Sequence, residues 1–399
     1  MKKINSLLLG LAFTASLFSA PSFAATSDGY QIQFPINKMG YTPPPTPEPA
    51  DSISCGEQHC IALVKGTIWA VGLNNYGQLG TGDGTGHTSW VNTGVAATSI
   101  SAGGSSSYAI NSAGYVLVTG FNNYGQLGIG NTSNVSAWLQ TTFKANSIIA
   151  SYSNAYAIVN GIAYSVGFNN TGALAIGNTT SKSTWQNTNL AVTKISAQFN
   201  HVYAISGGKL YFSGLNCCGQ YGKGMAPAQI NTWTNEGIDV IDVAATGWGG
   251  LIIKSDGVVW GSGQNLYGAL GLGYFSPSGV NAGDLYTWMN TGVVASNVYA
   301  SYYATYIKKD GVLYSAGQNS NGQLGLNLPL TTNVNRFTST GLQPTIVAAN
   351  GDGIIISDGS KNIMVAGNNL SGKFGNGNSS GKISAFTTIT EPFKVPSSN

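Results

Sequence analysis

Side chains able to move protons are few: three histidines and fourteen carboxylates in 399 residues. His59 and His201 each stand three residues before an alanine, Ala62 and Ala204, and His87 lies in a polar stretch. A metal centre gathers several such donors at coordination distance. The spacing instead predicts turn histidines, and no metal or cofactor is expected. Asp256, Asp310 and Asp358 fall in turn sequences, and Asp28, Glu48 and Asp51 lie near the N-terminus. Glu236, Asp239 and Asp242 cluster, and a solvated edge is expected there. Glycoside hydrolysis needs two carboxylates across a cleft, and no pair presents itself. Nucleophile–histidine signatures are also missing. The chain therefore reads as a non-enzyme. Its four cysteines fall in two local pairs. Cys55 and Cys60 flank one tight loop and are expected to bridge. Cys55 as a free, small hydrophobe is the rival, because other copies of its surroundings carry Ala102, Ala197, Ala245 and Ala349 there. Cys217 and Cys218 are adjacent, so a vicinal bridge and two free thiols both stay open.

The elements that must hold these residues are β-strands. Only 8% of residues are charged, while 55 are glycine and 42% are apolar. A glycine-rich chain with no G-X-Y period and this apolar content is neither collagen nor disordered. Lys2 and Lys3, the apolar run 7–18 and Ser22-Phe23-Ala24 read as a signal peptide over residues 1–24. The run is shorter than the ~20 residues a spanning helix needs, and no later segment is longer, so no membrane span is expected in the mature chain. Losing the two lysines brings the net charge of +3 down to about +1. That gives no basic field for nucleic acid. Residues 25–50 read as a leader ending in a proline-rich spacer, with Tyr30-Gln31-Ile32-Gln33-Phe34 alternating like a strand.

From residue 51 to 399 the chain repeats itself. An aliphatic residue opens each copy at Ile53, Ile100, Ile148, Ile195, Val243, Val298 and Val347, at intervals of 47, 48, 47, 48, 55 and 49 residues. Each copy carries a G-x-N-x-x-G segment, first seen as Gly72-Leu73-Asn74-Asn75-Tyr76-Gly77. Its asparagine recurs as Asn74, Asn122, Asn169, Asn216, Asn265, Asn319 and Asn369. Glycine supplies positive φ, and asparagine folds onto nearby backbone, so these are read as structural turn residues. A phosphate cradle would need a helix behind the loop. Runs such as Thr67-Ile68-Trp69-Ala70-Val71, preceded by hairpin turns such as Asp256-Gly257 and Asn160-Gly161 elsewhere, are strands. An aromatic follows each glycine segment at Trp90, Trp138, Trp185, Trp233, Trp288, Phe337 and Phe386, as expected for packing between sheets. The prediction is an all-β, seven-bladed β-propeller of four-stranded repeats, each of about 48 residues.

At Ile53-Ser54-Cys55-Gly56-Glu57-Gln58-His59, with Ile61-Ala62-Leu63 and the seven glycine segments, the chain resembles the regulator-of-chromosome-condensation repeat family. The resemblance runs over about residues 52–395 and implies a seven-bladed propeller. It leaves function open, because that family includes exchange factors, chromatin binders, ubiquitin-ligase modules and secreted bacterial inhibitors.

Positions that vary between copies are where a particular task can sit. The loop after each first strand carries His59, Tyr152, Phe199, His201, Trp248, Tyr302 and Tyr303. These are the candidate binding residues, because equivalent loops should surround one face. Rigid rings among Ser, Asn and Gly have the composition of a contact surface. The insertion from Tyr274 to Thr287, with Tyr274, Phe275 and Tyr286, is a second candidate. The reading is an exported, secreted, cell-surface or periplasmic adhesin-like binding protein for a protein or glycan. Residues 26–50 would attach it to a pilus or secretion apparatus. The alternative is inhibition of an extracellular enzyme, since the chain looks like secreted bacterial propellers that block β-lactamases. Nucleotide exchange on a host small GTPase follows behind.

Overall fold

In a computed structural model, residues 46–276 and 284–395 are described. The signal peptide, most of the leader and the strand expected at Tyr30–Phe34 lie outside those residues, as does the middle of the 274–287 insertion. Among the described residues every regular element is a strand. The first repeat sets the pattern: Ser52–Cys55, His59–Val64, Thr67–Gly72 and His87–Ala96 pair antiparallel in sequence order. Residues 99–144, 147–191, 297–339 and 346–389 repeat it.

The expectation of seven separate four-stranded blades is corrected here. Five sheets have four strands each, but residues 194–294 form one seven-stranded sheet. The finding that overturns it is the strand Gln229–Ala245, which continues unbroken where other units have a link. Its first half pairs with Lys209–Leu215 and its second half with Gly249–Lys254. The sequence supplies a reason. Links elsewhere are Ala97-Thr98, Ala145-Asn146, Val192-Thr193 and Ala295-Ser296, each ending in a polar turn-former. Three of these polar side chains donate to a carbonyl in the second strand of the following unit: Thr98 to Ile110 at 3.0 Å, Thr193 to Ile205 at 3.3 Å and Ser296 to Lys308 at 3.1 Å. The corresponding pair here is Val240-Ile241. Ile241 has no polar group to make such a bond, and the strand runs on with only a register shift at the joint.

The sheets close on themselves. In six units the aromatic ring lies on the glycine that ends a neighbouring unit's glycine segment, and Ala175 stands at that position ahead of Trp233. A Cβ at Gly80 would come within 2.3 Å of Trp138, at Gly128 within 2.4 Å of Trp185 and at Gly222 within 2.2 Å of Trp288. Trp90 of the first repeat lies in the same way on Gly375 of the last, and Ser89 bridges Asn376. Thr46–Pro47 pairs with Lys394–Val395, so the two ends of the described chain meet. The innermost strands line a cavity of about 270 Å³ with small residues such as Ser54, Ala102, Ala245 and Ala349. Neighbouring inner strands are tied where the Ala102 and Ala150 amides donate to Ser54 and Ser101 hydroxyls, both at 2.9 Å.

All seven turn asparagines are fully buried. Each side-chain oxygen accepts the amide five residues later: Leu79, Leu127, Leu174, Tyr221, Leu270, Leu324 and Phe374, at 2.8–3.3 Å. Each side-chain amide donates to carbonyls across the loop, such as Asn131 and Ser133 for Asn122. Gly77 is required because a Cβ there would meet the Ser136 backbone at 2.3 Å, and its φ is +83°. The repeated motif thus folds the turn and admits the next sheet.

The expectation of a solvated acidic edge is also corrected. Only Asp239 is exposed; Glu236 and Asp242 are buried. Asp242 accepts the Val243 and Val298 amides and pairs with Lys194. Glu236 accepts the Trp288 indole N–H at 2.7 Å, and burial holds its carboxyl well above the usual range. The cluster is a joint of the seven-stranded sheet rather than a surface.

Candidate functional site

Antiparallel order puts the loop after the first strand and the loop after the third at the same end of every sheet. One hydrogen bond fixes them together in each repeat. The amides of Leu73, Phe121, Phe168, Leu215, Gln264, Gln318 and Asn368 donate to Gln58, Ser105, Ser153, Asn200, Trp248, Tyr303 and Asp352 at 2.8–3.0 Å. The candidate binding aromatics therefore share one face.

They also touch. Tyr152 stacks on Phe199 with centroids 4.7 Å apart, and Phe199 meets Tyr302 edge-on at 4.1 Å and Trp248 at 6.3 Å. Trp248 Nε1 donates to the Tyr303 hydroxyl at 3.1 Å, and Tyr303 packs against Tyr267. Tyr302 and Tyr303 lie 6.2 Å apart. All five candidate rings keep part of their surface in solvent. A second chain of rings, Tyr76–Phe121–Tyr124–Phe168, runs along the glycine loops of the same face, with centroids 4.9–6.0 Å apart. Sequence reading missed these four. Their signal was present in the aromatic positions of the first three glycine segments, which had been absorbed into the turn motif.

Phe199 is held at φ +49°. The second and last units place Gly104 and Gly351 in the same loop, at +50° and +58°. A bulky side chain in left-handed backbone costs about 1–3 kcal/mol. Backbone strain of this kind gathers at functional sites, and here it places the central ring of the cluster.

The two candidate histidines do not reach the face. His59 Nε2 lies 2.8 Å from the Ser107 hydroxyl and His201 Nε2 lies 3.0 Å from the Gly249 carbonyl, both wholly buried against the next unit. Burial lowers their pKa values to about 3 and about 4. They lock neighbouring units together. Of the second candidate loop, Tyr274 and Phe275 are exposed, while Tyr286 is half-buried with its hydroxyl unpartnered. These residues are separate from the aromatic cluster in the contacts observed.

Cys55 and Cys60 form a disulfide across paired strands, closing the loop that carries Glu57. Cys217 and Cys218 are free thiols 2.9 Å apart. The hydrogen bond from Cys218 lowers Cys217 to about 7 and holds Cys218 up.

Beside the rings lies a pocket of about 470 Å³ bordered by Glu57, Tyr302, Tyr303, Asn321, Asp352 and Lys373. Asp352 accepts Lys373 Nζ at 2.9 Å, Asn368 Nδ2 at 2.7 Å and Asn321 Nδ2 at 3.2 Å. Lys373 also donates to the Glu57 carbonyl at 3.1 Å. Sequence reading missed Asp352 and Lys373. The signal for Lys373 was a break in the repeat, since it stands where Gln78, Gln126, Gln220 and Gln323 stand.

No protein-family model matches the chain, and no curated protein matches it. Among solved structures it is similar to human WBSCR16, with a TM-score of 0.67 at 17% identity, covering 77% of this chain and 86% of that one. It is also similar to Prp20p of Saccharomyces cerevisiae, whose binding to Gsp1p and histones has been described, with a TM-score of 0.65 at 18% identity, covering 75% and 80%. A further match is yeast RCC1 (Prp20) bound to Kap60, with a TM-score of 0.65 at 17% identity, covering 75% and 78%. At these identities the likeness shows the fold: an RCC1-like β-propeller.

Proposed function

We propose that this chain is an exported, non-catalytic binding protein that grips an extracellular or periplasmic protein or glycan with its aromatic loop face. The carrying observation is the contiguous set Tyr152, Phe199, Trp248, Tyr302 and Tyr303, centred on a phenylalanine held in strained backbone. Large rings on a rigid frame bury area at little entropic cost. The propeller fold supports the reading, since Prp20p, similar in fold, binds Gsp1p and histones. The Cys55–Cys60 disulfide supports an oxidising compartment, in line with the sequence of residues 1–24. Asp352, bonded on both oxygens, is a positioned anchor rather than a general acid or base.

The test is a binding screen of the full chain against arrayed glycans and extracellular proteins, repeated with Trp248→Ala and Tyr303→Ala. Central aromatic anchors carry most of an interface's energy, so each change should weaken the ligand found by at least about tenfold. Ser112→Glu, in a hairpin at the opposite end of its sheet, should leave binding unchanged. Affinity indifferent to both ring changes would overturn the proposal.

A further inference from the structure

We infer that the pocket beside the aromatic cluster receives the basic side chain, arginine or lysine, of a protein partner, with Glu57 as its counter-ion. This rests on the aromatic-face reading and narrows it from protein or glycan to a protein of stated chemistry.

The charges decide the occupant. Lys373 is almost wholly buried and spends its ammonium on Asp352 and on the Glu57 backbone carbonyl. Asp352 accepts from that lysine and from two asparagine amides, so both of its oxygens are engaged. Among the described residues the Glu57 carboxylate has no hydrogen-bond or ion-pair partner, although it sits in the wall of the pocket. Two carboxylates and one ammonium leave one negative charge in excess. Burial is the first cause that pushes the Glu57 carboxyl upward; the Lys373 charge pulls it down and the Asp352 charge adds to the rise. The Tyr152 and Tyr302 rings lie close enough to feel that charge. A carboxylate in a pocket that Tyr302 and Tyr303 also border is complementary to a cation, which aromatic rings also attract. A neutral saccharide would leave Glu57 uncompensated and would find Asp352 and its amides already engaged.

The probe is a tetra-arginine peptide titrated into the full chain at low salt, with tetra-citrulline as its uncharged counterpart and cellotetraose as a neutral saccharide. Saturable binding of tetra-arginine is expected, with tetra-citrulline at least fivefold weaker and cellotetraose not competing. Glu57→Gln keeps the backbone carbonyl that holds Lys373 and should weaken tetra-arginine at least fivefold. Asp239→Asn, which removes an exposed carboxylate of the seven-stranded sheet, should not. Equal binding of tetra-arginine and tetra-citrulline by the wild-type chain would overturn the inference, as would Glu57→Gln binding like wild type. Cellotetraose binding that Trp248→Ala abolishes, with no peptide binding, would sink the basic side chain while leaving the aromatic face standing.

Discussion

Trp90→Ala should lower the stability of the fold by about 3–5 kcal/mol, the range for truncating a buried large aromatic. Trp90 is 6% exposed and lies on Gly375, its ring 5.0 Å from Phe393. It packs in one core cluster with Ile53, Ile355 and Phe374, residues of the first and last repeats. Trp138 makes the equivalent contact with Gly80, but those two repeats are consecutive in the chain. The first and last repeats have no such link, so their contact depends on packing, on the Ser89–Asn376 bridge and on the short pairing of Thr46–Pro47 with Lys394–Val395. Denaturant titration should therefore show a larger loss for Trp90→Ala than for Trp138→Ala. Equal losses would mean that closure has no special share in the stability.

Asn122→Ala should cost about 1–3 kcal/mol, although it removes few atoms. It strips the acceptor from the Leu127 amide, bonded at 2.9 Å, and the donor from the Asn131 and Ser133 carbonyls, each at 3.0 Å. A buried polar group left without a partner costs about 1–3 kcal/mol, and the Leu127 amide is such a group, whereas Asn131 and Ser133 are exposed residues whose carbonyls can turn to water. Asn122→Asp should not rescue the fold, because it returns an acceptor but no donor and buries a charge. A loss below about 1 kcal/mol for Asn122→Ala would show that water replaces the side chain and that the turn does not depend on it.

The difference between these residues and the candidate site explains what the sequence disclosed. Asn122 and its six counterparts answer a backbone requirement that recurs in every unit, so self-similarity alone exposed them. The ring of Trp90 was legible for the same reason. The merging of two units through Gln229–Ala245 was not, because it turns on a two-residue change, Val240-Ile241, in place of a polar turn-former. Variable loops pointed to Tyr152, Phe199, Trp248, Tyr302 and Tyr303, and the structure brings these five rings together on one face. The same reasoning admitted His59 and His201, whose burial depends on packing against the following unit. Lys373 and Asp352 come from two loops of the last repeat that antiparallel order brings together, and closure onto the first repeat then sets Glu57 beside them.

Hydrogen exchange of the full chain, free and saturated with the ligand recovered from the screen, tests most directly whether the loop face is the binding surface. Slowed amides are predicted in the loops holding Glu57, Tyr152, Phe199, Trp248 and Tyr302, with no change in the hairpins holding Gly66, Gly161, Gly257 and Gly311. Slowing confined to those hairpins, with the aromatic loops unchanged, would contradict the account.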